Sequence, residues 1–157
     1  MPDTQVNFLL EADVDTLLLQ HREGTTFASF SSTTLGAESF TVELGKVQPF
    51  GENDPSRFSG IRDALRRRFK GVKPPQPEAA AQTTRFEVVH EILNTGDTFQ
   101  FHIPDDVANF TMYDPGTVIW EDSNTRYTVG DTPEGIVFPN RDVPVGQRVG
   151  LMIRPTR

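Results

Sequence analysis

The chain has 157 residues, a net charge of -7, a pI near 4.9 and no cysteine. That acidic balance argues against a general nucleic-acid binder and against docking on anionic membranes. The lack of cysteine excludes disulfide scaffolding, thiol catalysis and thiolate metal sites. With 36% hydrophobic and 24% charged residues the composition is that of an ordinary globular protein, and no apolar run is long enough to predict a membrane span. The opening Met1-Pro2-Asp3-Thr4 lacks the basic-then-apolar pattern of a secretory signal, so a cytoplasmic location is expected by default.

In chain order, residues 7–13 read as the last turns of a helix. Residues 16–20 follow as a short continuous apolar run, the pattern of a strand buried on both faces. Residues 21–39 read as a polar, small-residue loop carrying Gly24 and Gly36. Residues 40–44 form another β-rich run, broken by Gly45 and Pro49. A helix start comes next, with Asp54 placed to cap and Pro55 at the favoured first position. Phe58, Ile61, Leu65 and Phe69 mark one helical face, and Gly71 closes the helix. Arg62, Arg66, Arg67, Arg68 and Lys70 crowd the later turns, where cations suit the helix dipole, so a solvated helix end is the plain reading of that basic cluster.

Residues 72–83, with Pro74-Pro75-Gln76-Pro77 and three alanines, read as a linker. From Thr84 onward the pattern is of short β segments: residues 85–93, 98–103, 117–120, 127–129, 135–138 and 149–153. Turn signals such as Asn94-Thr95-Gly96-Asp97 and Asp114-Pro115-Gly116 separate them. The expected architecture is an α/β fragment over 1–71, a Pro/Ala linker over 72–83, and an all-β sandwich or barrel-like domain over 84–157. The α/β part offers about two strands, fewer than an ordinary sheet, so earlier strands are expected outside this chain. Its unmet edge predicts pairing with a second copy or with an upstream catalytic segment.

Glu43 stands out chemically. A carboxylate ending an apolar strand pattern is costly unless it is paired, metal-bound or functional, and open α/β sheets gather their sites at strand carboxyl ends. The plain alternative is an exposed glutamate, or one paired with Lys46 or Arg22. His21, His90 and His102 are the only imidazoles, and none begins a His-x-x-x-His or His-x-x-Glu pair of the kind a zinc site favours. His90 and His102 alternate with apolar neighbours and read as sheet-surface positions. His21, ending the first strand, is a weak candidate for lining a substrate cleft. There is no Gly-rich phosphate loop and no Gly-x-Ser-x-Gly elbow, and the hydroxyl-rich residues 29–34 read as a polar loop.

Two stretches carry a family resemblance. Glu43-Leu44-Gly45-Lys46, continuing through Pro49-Phe50-Gly51-Glu52-Asn53-Asp54, resembles the signature of succinylglutamate desuccinylases. Val137-Phe138-Pro139-Asn140 and Val145-Gly146-Gln147-Arg148-Val149-Gly150-Leu151-Met152 resemble the C-terminal β-domain of the same family. The family is related to aspartoacylases and to zinc carboxypeptidases, and hydrolyses N-succinylglutamate to succinate and glutamate in arginine catabolism. The resemblance implies that Glu43 is the catalytic carboxylate, activating a zinc-bound water and shuttling its proton. It also implies that the zinc ligands, a His-x-x-Glu pair and a later His, lie upstream of the matched region, so no metal is expected on this chain alone and no turnover from it. Some relatives carry an arginine ten positions before the glutamate, where this chain has Thr33. The competing expectation is a non-catalytic interaction or scaffold module, or one subunit of a split enzyme.

Overall fold

The computed structural model describes residues 3–20, 25–45, 48–74 and 83–156. Two compact units divide the chain: residues 1–17 with 21–84, and residues 18–20 with 85–157.

The first unit is helical. Helix α1 (Asp3–Glu11) buries Val6, Phe8 and Leu9 against Ala12, Leu17 and Ala64. It ends in a reverse turn with Val14 N–H on the Leu9 carbonyl (2.8 Å) and Asp13 N–H on the Leu10 carbonyl (3.1 Å). Asp13 sits at φ 60, a conformation short polar side chains tolerate. Helix α2 (Phe27–Leu35) lies where a loop was expected. Its ends are coded locally: the Thr26 hydroxyl accepts from Ser29 N–H, and Gly36 adopts φ 65. The hydroxyls that suggested a loop turn back on the helix instead. Ser32 and Thr33 both donate to the Ser29 carbonyl, at 3.1 and 2.8 Å.

The expected strand over residues 40–44 is not one. Phe40 and Val42 pack inward on the helical core while Thr41 and Glu43 face solvent, so the alternation of a strand is present. No neighbouring strand pairs with it among the described residues, and without a ladder the segment stays extended loop. The next helix starts as read from the sequence. Asp54 accepts from Ser56 N–H (3.0 Å) and Ser56 Oγ (2.7 Å), bonds that hold its carboxyl below the ordinary range. The first turn, Pro55–Phe58, is 3₁₀ and leads into α3 (Ser59–Phe69). The expected apolar face is only partly used. Ala64 is the buried residue, Ile61 packs beside it, and Leu65 and Phe69 are exposed. Two small residues, Gly60 and Ala64, make the close contacts that larger ones could not.

The second unit is β. Strands β2 (Thr84–Leu93), β4 (Thr111–Tyr113), β7 (Glu134–Val137) and β8 (Arg148–Pro155) join β1 (Thr16–Leu19) in a sheet ordered β1-β2-β8-β7-β4. Strands β3 (Gln100–Phe101), β5 (Val118–Glu121) and β6 (Arg126–Thr128) form a second sheet ordered β3-β5-β6. Ile92, Ile136, Val149 and Met152 of the first sheet share one core with Ile119 and Trp120 of the second. β1 is the strand expected at this position and lies at the sheet edge: Thr16 is exposed, Leu17 is buried, and Leu18 is part-buried against the cluster of Phe86 and Ile153. β4 was not anticipated: three residues, with Phe110 before them at φ 66, are too few to show a period.

Register slips in β2 between Val88 and His90 and in β5 between Val118 and Trp120. Such bulges redirect the next side chain. His90 stacks on Tyr127 (centroids 4.2 Å, 17°) and lies farther along on Trp120 (6.1 Å, 14°). It is half-buried rather than on the sheet surface, and desolvation pushes its pKa down despite the raising influence of Glu134 and Glu91. The unfolded chain therefore binds a proton near pH 6.5 that the fold resists. Stability is expected to fall as pH drops below about 6.5, by at most about 1.4 kcal/mol per pH unit. Urea titrations at pH 7, 6 and 5 should show this slope in the wild type and its loss in His90→Phe. An equal slope in the variant would refute the assignment.

Candidate functional site

Glu43 opens onto a cleft of about 310 Å³ in the first unit, walled by the turn that follows α1 (Ala12, Asp13 and Val14), the segment 42–45, and residues 57–61. Its carboxylate is exposed. Val42, packed inward on the preceding position, fixes which way the segment faces. Behind Glu43, Gly45 takes φ 96, a turn that suits glycine.

The cleft exists because α3 approaches α1 closely at Gly60. A Cβ there would lie 2.5 Å from the Ala12 carbonyl oxygen and 2.8 Å from its carbon, and would collide with Asp13 Oδ2. Backbone cannot give way as a flexible side chain can. Gly60→Ala is expected to cost about 1–3 kcal/mol and to widen this wall. Chemical denaturation checks the energy; a change under about 0.5 kcal/mol, the scale of ordinary surface substitutions, would mean that the contact relaxes freely.

His21, the weak substrate-lining candidate, lies outside the described residues, as do Arg22, Lys46 and most of the linker stretch. Thr33 sits on α2 with its hydroxyl committed to the Ser29 carbonyl. His102 lies 3.2 Å from Glu121 Oε1, while Arg126 Nε donates to Glu121 Oε2 at 2.7 Å. The Arg126 bond first, and His102 after it, hold the Glu121 carboxyl below its ordinary range. This is an exposed network, as expected of a sheet-surface histidine. Among the described residues no group of three or more His, Cys, Asp or Glu is placed to hold a metal ion, and no helix is long and apolar enough to cross a membrane.

Sequence reasoning passed over one buried polar cluster in the second unit. Glu134 is 2% exposed. Its Oε2 accepts from the Tyr127 hydroxyl at 2.6 Å and its Oε1 from Arg154 at 2.7 Å. Burial, then the bond to Glu134, keep the Tyr127 phenol protonated far above its ordinary range. The available signal was a lone acid opening the apolar run Gly135-Ile136-Val137-Phe138.

Comparison with known proteins bears on both units. The Succinylglutamate desuccinylase/Aspartoacylase catalytic domain model matches residues 2–69, and the AstE/AspA barrel-sandwich hybrid domain model matches residues 81–156. The chain is 39% identical over 152 residues to a succinylglutamate desuccinylase of Shewanella woodyi, covering 96% of this chain and 44% of that protein. It is 38% identical over 153 residues to one of Pseudoalteromonas atlantica, covering 97% and 44%. Among solved structures, succinylglutamate desuccinylase from Vibrio parahaemolyticus superposes with a TM-score of 0.83 at 33% identity, over 98% of this chain and 45% of that one. The Vibrio cholerae structure gives 0.84 at 32% identity, over 94% and 43%. The chain thus spans about 44% of the length of the curated relatives it matches. With both of its parts matched in order by models of one family, and with relatives of that name along nearly its whole length, the chain belongs to the succinylglutamate desuccinylase/aspartoacylase family.

Proposed function

We propose that residues 1–157 form the C-terminal portion of a zinc-dependent amidohydrolase that converts N-succinyl-L-glutamate and water to succinate and L-glutamate in arginine catabolism. Residues 1–71 are read as the C-terminal part of its catalytic domain and 84–157 as its β-domain. The observation that carries this reading is Glu43, which lines a cleft together with Leu44 and Gly45 and opens the Glu-Leu-Gly-Lys sequence that resembles the family signature. In this role its carboxylate accepts a proton from the attacking water as oxygen adds to the amide carbon. It then returns the proton to the leaving nitrogen, so that the C–N bond breaks to an amine and an acid. An exposed carboxylate lining a cleft is accessible for such exchange.

Zinc, when bound in a family enzyme, supplies electrophilic activation. The described residues do not fit it: they assemble no donor set. The reading therefore places the metal on the upstream catalytic segment and expects no turnover from these 157 residues alone. Phe27 (83% exposed) and Phe69 (88%) in the first unit support a covering partner, which the reading identifies with that segment. The test combines zinc analysis of the purified chain with N-succinylglutamate hydrolysis, with and without added zinc. Turnover that appears only with an upstream catalytic segment supports the reading. A zinc-loaded, active chain would overturn the placement of the metal. Stable folding, with no hydrolysis under any complementation, would favour the interaction module.

A further inference from the structure

The cleft that Glu43 opens onto is acidic on two sides, with Asp13 and Glu43 both lining it, and Arg57 is the only cation among its described lining residues. An anionic acyl amino acid entering it needs a positive group to offset those carboxylates. The arginines around Arg57 are otherwise engaged. Arg62 Nε lies 3.1 Å from Asp63, and Arg66 pairs with the same carboxylate at 3.9 Å. Arg67 binds Glu11 at 2.6 Å, and the Arg68 guanidinium lies 4.6 Å from the centre of the Phe8 ring. The guanidinium of Arg57 makes no hydrogen bond or ion pair among the described residues. The nearest acid in sequence, Asp54, spends Oδ1 on Ser56 N and Oγ, and feels Arg57 only through its field. Arg57 also rides on the turn Pro55–Phe58, whose start is fixed by that Asp54 cap, so its Cα position is well determined while its head is free.

We propose that Arg57 is a specificity-determining residue that binds a carboxylate of the acyl amino acid in the cleft of Glu43. A guanidinium suits the task because its planar fork meets a carboxylate through two parallel N–H···O bonds, which a lysine cannot reproduce. The proposal deepens the amidohydrolase reading and rests on it for the ligand class.

The test uses the full 157-residue chain and succinate as the probe, with neutral succinamide as its control, followed by ¹H–¹⁵N NMR including arginine Nε–H resonances. Succinate is expected to shift the Arg57 Nε–H and the cleft amides saturably, with succinamide silent. Arg57→Ala should weaken this at least about tenfold, Arg57→Lys should recover part of it, and Glu43→Gln should leave succinate bound at least as tightly. An unchanged fingerprint spectrum in Arg57→Ala shows that the fold is kept. Absent saturation in the wild type, shifts centred on Arg66 to Arg68, or equal affinity in Arg57→Ala would each overturn the proposal. The two readings separate. Arg57-dependent succinate binding without hydrolysis under any complementation sinks the amidohydrolase and keeps the subsite. Glu43-dependent hydrolysis with Arg57-independent binding does the reverse.

Discussion

Glu43→Gln is expected to lower N-succinylglutamate hydrolysis by about 10²–10⁴-fold, in whichever preparation turnover is detected, alone or complemented by the upstream catalytic segment. Glutamine keeps the size and the hydrogen-bonding outline but cannot carry a proton from water to the leaving nitrogen. Glu43→Asp is a finer probe. It keeps the base and draws it back by one methylene, a misplacement that costs on the order of 10² in rate where geometry governs. Because Glu43 is exposed on an unpaired segment, both changes should move stability by less than about 0.5 kcal/mol. Steady-state rates beside urea midpoints separate the two effects. A rate within threefold of wild type for Glu43→Gln would remove this residue from the chemistry.

Arg154→Met is expected to cost about 3–5 kcal/mol, the largest stability effect in the β unit. The reason is asymmetric burial. Glu134 is almost fully enclosed while the Arg154 side chain is 40% exposed. Losing the arginine leaves a carboxylate inside the fold that keeps the hydrogen bond from the Tyr127 hydroxyl and loses its ion pair. Losing the glutamate leaves an arginine that water can still reach, so Glu134→Met should cost less. Removing both should recover much of the loss, since well-packed apolar residues often replace a buried ion pair at little cost. A double-mutant cycle from urea unfolding measures the coupling. A cost below about 1 kcal/mol for Arg154→Met, the scale of an exposed pair, would show that solvent already screens the carboxylate.

Much of the β unit was legible because its strands are bounded by strong turn signals and rich in branched residues. The helix start at Asp54-Pro55 was legible because capping is a local act between neighbours. What escaped was decided by partners. Residues 40–44 have the composition of a strand but no ladder to join. Residues 27–35 have the composition of a loop, yet the Thr26 cap and the Gly36 stop bound a helix, in which the Ser32 and Thr33 hydroxyls turn back on the Ser29 carbonyl. On α3 the larger apolar side chains drew the eye, whereas the tight contact belongs to Gly60 and Ala64, whose value is their smallness. Glu43 was singled out from its strand-like setting and from the motif around it. Arg57 carried no signal at all, since what marks it is that its neighbours' charges are used and its own is not.

The boundary of the β unit has a consequence for how such a module can travel. Its edge strand β1 brings in Leu18 and Leu19, and Leu18 packs with Phe86, Val137, Leu151 and Ile153, more than sixty residues away in sequence. Residues 84–157 cut out as one continuous piece would leave that flank of β2 bare and its apolar cluster short of a side chain, inviting edge-to-edge aggregation. A gene fusion or excision that respects only the linear order of the chain thus inherits an incomplete object. Recombination can move this β unit intact only by carrying the helical unit, and the Glu43 segment inside it, along as a passenger.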